Sequence, residues 1–190
     1  MKEPPIEAGY RPTRGLFAWA VHRKIRNTEG EDNVEHLVIR PLADGEPAPL
    51  DLLLLADPSR KAVDDYLRRG TCMVAELAGD VVGVYVLIAT RPLTAELVNV
   101  AVAEPLHGKG IGKRLVLHAI ETAKTLGYAD IEVGTGNSGM LQLALYQKCG
   151  FRITGVDPDF FVRHYPEEIV ENGIRCRDMV RLSLSLSRVQ

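Results

Sequence analysis

Cysteine is scarce in this chain, with three in 190 residues, at positions 72, 149 and 176. An odd number of widely scattered thiols excludes a disulfide framework and offers no metal-ligand spacing, so no metal is expected. Their expected role is that of small buried hydrophobes in a reducing compartment. Charge of one sign is lacking too: the formal net charge is −2, which leaves no basic excess to draw nucleic acid. Long apolar runs are missing. The segment Leu50–Ala56 is far short of the ~20 residues that cross a bilayer. At the N-terminus, Pro4, Pro5, Glu7 and Pro12 precede only a brief apolar patch at Leu16–Val21, which is no secretory signal. These absences predict a cytoplasmic protein with neither membrane nor nucleic acid as partner. Repeats and low-complexity tracts are absent as well.

What is present reads as one domain preceded by an extension. Residues 1–34 carry prolines, a basic stretch from His22 to Arg26 and then acidic and polar residues, with a short helix expected around Leu16–Ile25. Regular patterning begins near His36 and defines a domain over residues 35–190. Strands are expected at 36–40, 71–77, 81–89, 95–103, 130–134, 151–156 and 179–186. Ala78-Gly79-Asp80 marks a hairpin between the second and third of them. Helices are expected at 50–56, 59–69, 109–126 and 139–149, the second entered through Asp57-Pro58-Ser59, and the last two stopped by Gly127 and Gly150. Strands first paired as a meander and then joined by helices predict an α/β fold with a mixed sheet.

The strongest chemical signal lies between Val100 and Lys113. An apolar strand turns into Gly108-Lys109-Gly110-Ile111-Gly112, which opens a long amphipathic helix. Unpaired amides and the positive end of a helix dipole bind anions, and glycines let a pyrophosphate approach the backbone. A P-loop is excluded, because the spacing is one residue short and no Ser or Thr follows Lys113 to hold magnesium. A second cluster, Gly134-Thr135-Gly136-Asn137-Ser138-Gly139, satisfies the dinucleotide fingerprint, with Asp157 about 20 residues on. Too little chain follows to supply the remaining strands and helices of that fold, so topology rejects it.

Taken together, His107-Gly108-Lys109-Gly110-Ile111-Gly112, then Asn137, then Leu145-Tyr146-Gln147-Lys148-Cys149-Gly150-Phe151 closely resemble the GNAT superfamily of acetyl-CoA-dependent N-acetyltransferases. The resemblance covers residues 36–186. It is closest to a bacterial subgroup of the YvbK type, which shares Gly134–Asn137, Asp159-Phe160-Phe161 and the segment Glu171–Met179. His107 stands where Gln or Arg is usual, and the interval from Asn137 to Tyr146 is about two residues longer than common.

The resemblance implies an acyl-CoA N-acyltransferase fold, whose central sheet splays and is flanked by helices. It implies acetyl-CoA as donor, bound by the backbone of Val100, Ala101 and Val102, by the loop of His107, Gly108, Lys109, Gly110, Ile111, Gly112 and Lys113, and by Asn137 and Tyr146. Tyr146 would be the general acid that protonates the leaving thiolate. Glu96 matches the base of the histone-acetylating branch, and Glu132 a base proposed in ribosomal-protein acetyltransferases. A water chain is the third candidate. The acceptor would be a small-molecule or peptide amine, attacked directly in a ternary complex, and a homodimer is compatible with the fold. The acidic residues Glu167, Glu168 and Glu171 could draw a basic acceptor. The rival reading is a non-catalytic acyl-CoA-binding or interaction module.

Overall fold

The computed structural model describes residues 34–186. The helix expected at Leu16–Ile25 lies outside the described residues. After a 3-10 turn at Val34–His36, the chain forms β1 (Val38–Pro41), α1 (Leu50–Ala56), α2 (Arg60–Arg69), β2 (Thr71–Leu77), β3 (Asp80–Arg91) and β4 (Thr94–Val102). A second 3-10 turn at Glu104–Leu106 leads into α3 (Ile111–Thr125), followed by β5 (Asp130–Gly136), α4 (Met140–Lys148) and β6 (Arg152–Asp157). The remainder is α5 (Phe160–His164), β7 (Ile169–Glu171), β8 (Ile174–Cys176) and β9 (Met179–Ser185).

Seven strands form one sheet in the order β1-β2-β3-β4-β5-β9-β6, and β7 and β8 form a separate hairpin. Every neighbouring pair in the large sheet is antiparallel except β4 and β5, which α3 joins as a parallel pair. The mixed α/β architecture expected from the meander-then-crossover order is the one found. One face of the sheet packs on α3 and α4. There Ile111, Leu115, Val116, Ala119, Ile120 and Ala123 form the buried stripe of α3, against Tyr85, Leu97, Ile131 and Leu182. The other face packs on α1 and α2 through Leu53, Val63 and Tyr66.

Two features position the site. The parallel pairing of β4 with β5 runs only from Thr94–Asp130 to Leu97–Val133, and beyond it the strands part. At the same point β4 carries a bulge: the register to β3 shifts between the pairs Val86–Asn99 and Leu87–Leu97, leaving Val98 as the extra residue. Side-chain alternation breaks there. Leu97 belongs to the α3 core, Val98 packs on the α1/α2 side, and Asn99 also points that way, donating to the Leu53 carbonyl at 3.0 Å and the Tyr66 hydroxyl at 2.8 Å. A bulge re-aims one edge of a strand while keeping the other paired, so β4 stays bonded to β3 as it leaves β5.

Helix α3 begins two residues later than expected. Gly108 and Gly110 have φ of +78° and +83°, outside the helical region, and Gly110 serves as the N-cap. The segment 157–178 folds into α5 and the β7–β8 hairpin. Asn172 and Gly173, with φ of +54° and +72°, make the two-residue turn that Asn-Gly favours between strands.

Candidate active site

At the C-terminal end of β4 the backbone offers two sets of unpaired polar groups. Ala103 donates its N–H to the Val82 carbonyl at 2.8 Å, toward β3. By alternation Ala101 also faces β3, with its side chain in the α1/α2 core, while Val100 turns its N–H and C=O, and Val102 its N–H, into the gap beside β5. Round the loop, Gly108, Gly110, Ile111, Gly112 and Lys113 donate their amides to no backbone carbonyl of the described residues. Gly108 and Gly110 both hold positive φ, and a side chain at either glycine would meet nothing within 4 Å, so the backbone here is open to a ligand. These residues fit a pyrophosphate group followed by an extended, amide-bearing arm.

Such a cradle makes a direct prediction. Gly110→Val places a β-branched residue at φ +83°, a conformation that costs roughly 1–2 kcal/mol and sets a bulky side chain beside the free amides. The dissociation constant for acetyl-CoA, measured by calorimetry, is expected to rise about tenfold or more.

His107 does not reach into the loop. Its Nε2 lies 2.8 Å from the Val102 carbonyl, and because a carbonyl only accepts, Nε2 carries the proton. The imidazole thus braces the end of β4 against the loop that follows it. Arg114 reaches away from the loop, donating to the carbonyls of Val34 and Leu37.

Tyr146, on α4, is buried beside Phe151 in an edge-on contact at 6.1 Å. It belongs to the core cluster against which Val100, Val102 and Leu145 pack. Burial pushes its hydroxyl well above the ordinary tyrosine range, with the neighbouring Cys149 adding to the shift. The group is therefore a phenol at every physiological pH.

Glu96 and Glu132 stand side by side. They are directly opposite in the parallel β4–β5 register, at the closed end of the splay, and both line a cavity of about 350 Å³. Thr90, Arg91, Thr154, Arg181 and Leu182 complete the lining. Arg181 Nη1 donates to Glu96 Oε1 at 3.2 Å, and Arg91 donates to Glu132. The Glu96 carboxyl is pushed above the usual glutamate range by burial. Arg181 opposes the shift, and the like charge of Glu132 reinforces it. A carboxylate raised in this way accepts a proton more readily than an exposed one.

Neither arginine was legible as a site residue. The available signal for Arg181 is its place within Met179-Val180-Arg181-Leu182, a charge alternating with core residues of β9. Thr154 is the bulged residue on the neighbouring β6, where the register shifts between Ile153 and Gly155.

Asn137 is heavily engaged. Its Oδ1 accepts from the backbone N–H of Arg177 at 2.7 Å and of Asp178 at 3.0 Å, and its Nδ2 donates to the Arg175 carbonyl at 3.0 Å. The side chain ties the end of β5 to the strand connection after β8. Asn137→Ala is expected to lower the stability of this corner by about 1–3 kcal/mol, read as a drop in melting temperature.

The glycines beside Asn137 have a steric explanation. A Cβ at Gly136 would meet Cys176 Sγ at 2.4 Å, one at Gly134 Met179 Sδ at 2.5 Å, and one at Gly139 Thr135 Oγ1 at 2.5 Å. The dinucleotide-like spacing is a packing requirement beneath β8, β9 and α5. Of the acidic residues considered for acceptor attraction, Glu171 accepts from Ser138 and Gln142 at 3.2 Å each, and Glu168 pairs with Arg175 at 3.7 Å. All three cysteines are free, with Cys149 and Cys176 buried. Among the described residues, no group of three or more His, Cys, Asp or Glu is placed to hold a metal, and no helix is long and apolar enough to cross a membrane.

A sheet that parts over a glycine-opened helix, with two carboxylates side by side at the closed end, is the framework of an acyltransferase. The chain belongs to the Acetyltransferase (GNAT) family, whose model matches residues 39–151, and it is an N-acetyltransferase. The Bacillus subtilis (strain 168) protein described as "Uncharacterized N-acetyltransferase YvbK" is 64% identical over 136 residues, 72% of this chain and 88% of that protein. The crystal structure of a Bacillus subtilis acetyltransferase in complex with CoA is 59% identical, with a TM-score of 0.76 over 80% of this chain and 99% of that one. A GNAT family acetyltransferase from Elizabethkingia anophelis, solved with acetyl-CoA bound, is 46% identical, with a TM-score of 0.77 over 78% of this chain and 97% of that one.

Proposed function

We propose that this enzyme transfers the acetyl group of acetyl-CoA to a primary amine by direct attack in a ternary complex. The observation that carries the reading is the juxtaposition along β4. Glu96, beside Glu132, stands at one end of the parted strands, and the amide cradle of Gly108–Lys113 stands at the other. The related structures with CoA and acetyl-CoA support the donor.

The residues then divide the chemistry. The amides of Gly108 and of Gly110 to Lys113 hold the diphosphate, and the C=O of Val100 and the N–H of Val102 bond the pantetheine arm as a further strand would. The N–H of Val100 stabilises charge developing on the thioester oxygen. Glu96 takes the proton of the incoming ammonium, so that the free amine forms the C–N bond as the C–S bond breaks. Tyr146 gives its proton to the departing thiolate, and the second proton, shed by the new amide nitrogen, returns to the Tyr146 oxygen through solvent. Fixing both reactants in one cleft supplies proximity, worth up to ~7–11 kcal/mol for well-aligned groups. Asn137 organises the corner. The catalytic domain spans residues 35–190, with residues 1–34 an extension of it. Free thiols suit a cytoplasmic location.

Thermal melting with acetyl-CoA, with NAD as the control, tests the donor. At 100 times its dissociation constant a ligand adds about 2.7 kcal/mol to native stability. Stabilisation by acetyl-CoA alone, followed by amine-dependent thiol release, is the expected result. Stabilisation by NAD alone would sink the reading.

A further inference from the structure

Building on the transfer reaction proposed above, we propose that the acceptor is a small amine bearing a carboxylate one or two carbons from its nitrogen, an α- or β-amino acid. Arg181 and Arg91 hold the carboxylate, and Glu96 receives the ammonium proton.

The cavity of about 350 Å³ presents two carboxylates and two guanidiniums in contact with one another, not a field of one sign. Glu96 and Arg181 are 3.2 Å apart. A ligand that engages both must therefore carry its own opposite charges equally close together. An amino acid does so. A polyamine would set a second ammonium against Arg91 or Arg181, and a lysine ε-amine has no anion within reach of its nitrogen.

Arg181 is also held for this task independently of Glu96. Its guanidinium lies over the Phe160 ring at 5.5 Å, and its Nη2 reaches Asp157 Oδ2 at 3.7 Å. It keeps its aim when Glu96 turns to the amine. Asp157 is itself shared with Arg163 at 2.5 Å, so it does not neutralise Arg181 alone. Once Glu96 has accepted a proton it is neutral, and Arg181 loses a counter-charge that the carboxylate of the acceptor replaces. Arg69, in the last turn of α2, acts on Glu96 as well, while its Nε pairs with Asp65 at 2.9 Å. Thr90 and Thr154 line the same space, and the Thr154 hydroxyl, donating to the Arg181 carbonyl at 3.3 Å, helps fix the backbone that carries that guanidinium.

The test measures thiol release from acetyl-CoA with the free amino acids, and then compares the best of them with its amide, its decarboxylated amine and spermidine. The wild type is expected to prefer the acid to its amide by about 10–100-fold in kcat/KM, the scale of a lost charged hydrogen bond. In Arg181→Gln the KM for the acid is expected to rise by a similar factor, more than kcat falls, and the preference to collapse. Arg91→Gln, a change on the exposed rim that puts little folding at risk, is expected to weaken the preference in the same direction.

An amide used as well as its acid, spermidine as the best acceptor, or a preference untouched in both variants would overturn the acceptor assignment. Amine-dependent release by way of Glu96 would survive those outcomes. If no amine releases thiol while acetyl-CoA still raises the melting temperature, the transfer reaction falls, and the acceptor with it.

Discussion

Glu96→Gln is expected to lower kcat at neutral pH by about 10²–10⁴, the usual contribution of a placed general base. Acetyl-CoA affinity should barely change, because the carboxylate stands away from the amide cradle. The loss should also shrink as pH rises toward that of the free amine, near 10.4, since the acceptor then arrives without its extra proton. In the wild type the acidic limb of kcat/KM marks ionisation of the base. Burial raises the Glu96 carboxyl, so this limb should lie above the ordinary glutamate value of about 4.3. Arg181 pulls the other way. Arg181→Gln should therefore move the limb to still higher pH, because the ionised form loses a stabilising cation. A pH-independent loss in Glu96→Gln would remove it as base. Repeating the series with Glu132→Gln would then decide between its neighbour and water.

Tyr146→Phe is expected to reduce kcat by about 10²-fold, the low end of general acid catalysis, with stabilisation by acetyl-CoA retained. The ring would keep its edge-on contact with Phe151, so the fold should survive the loss of the hydroxyl. Burial lifts the hydroxyl above the ordinary tyrosine value. The wild-type rate should consequently show no alkaline fall near pH 10 from loss of this proton. Thiol-release kinetics across that pH range check both statements. Unchanged turnover in Tyr146→Phe would mean that the thiolate leaves without its help.

The loop 107–113 was legible because its chemistry is local. Glycine spacing and the following helical stripe are enough to place free amides at a helix end, whatever packs around them. The meander, its Ala78-Gly79 turn and the α3 stripe were legible for the same reason. The bulge at Val98 was not, since which residue is left unpaired depends on the register to β3. The β7–β8 hairpin had a local signal in Asn172-Gly173. Its flanking strands are only three residues each, too short to show periodicity. Asn137 could be picked out as functional, but its bonds to 175–178 depend on where a distant segment docks.

The sequence by itself determined an α/β domain with an anion-binding helix start and the candidate acid–base residues Tyr146, Glu96 and Glu132. Short-range geometry dictates the helix start, and ordered motifs carried the rest. Only the tertiary structure decided that the two glutamates are neighbours and that Arg91 and Arg181 come to meet them. Those meetings join residues 41 and 85 positions apart in the chain. Strand register and sheet order create them, and those are settled by the packing of the whole core rather than by any local preference.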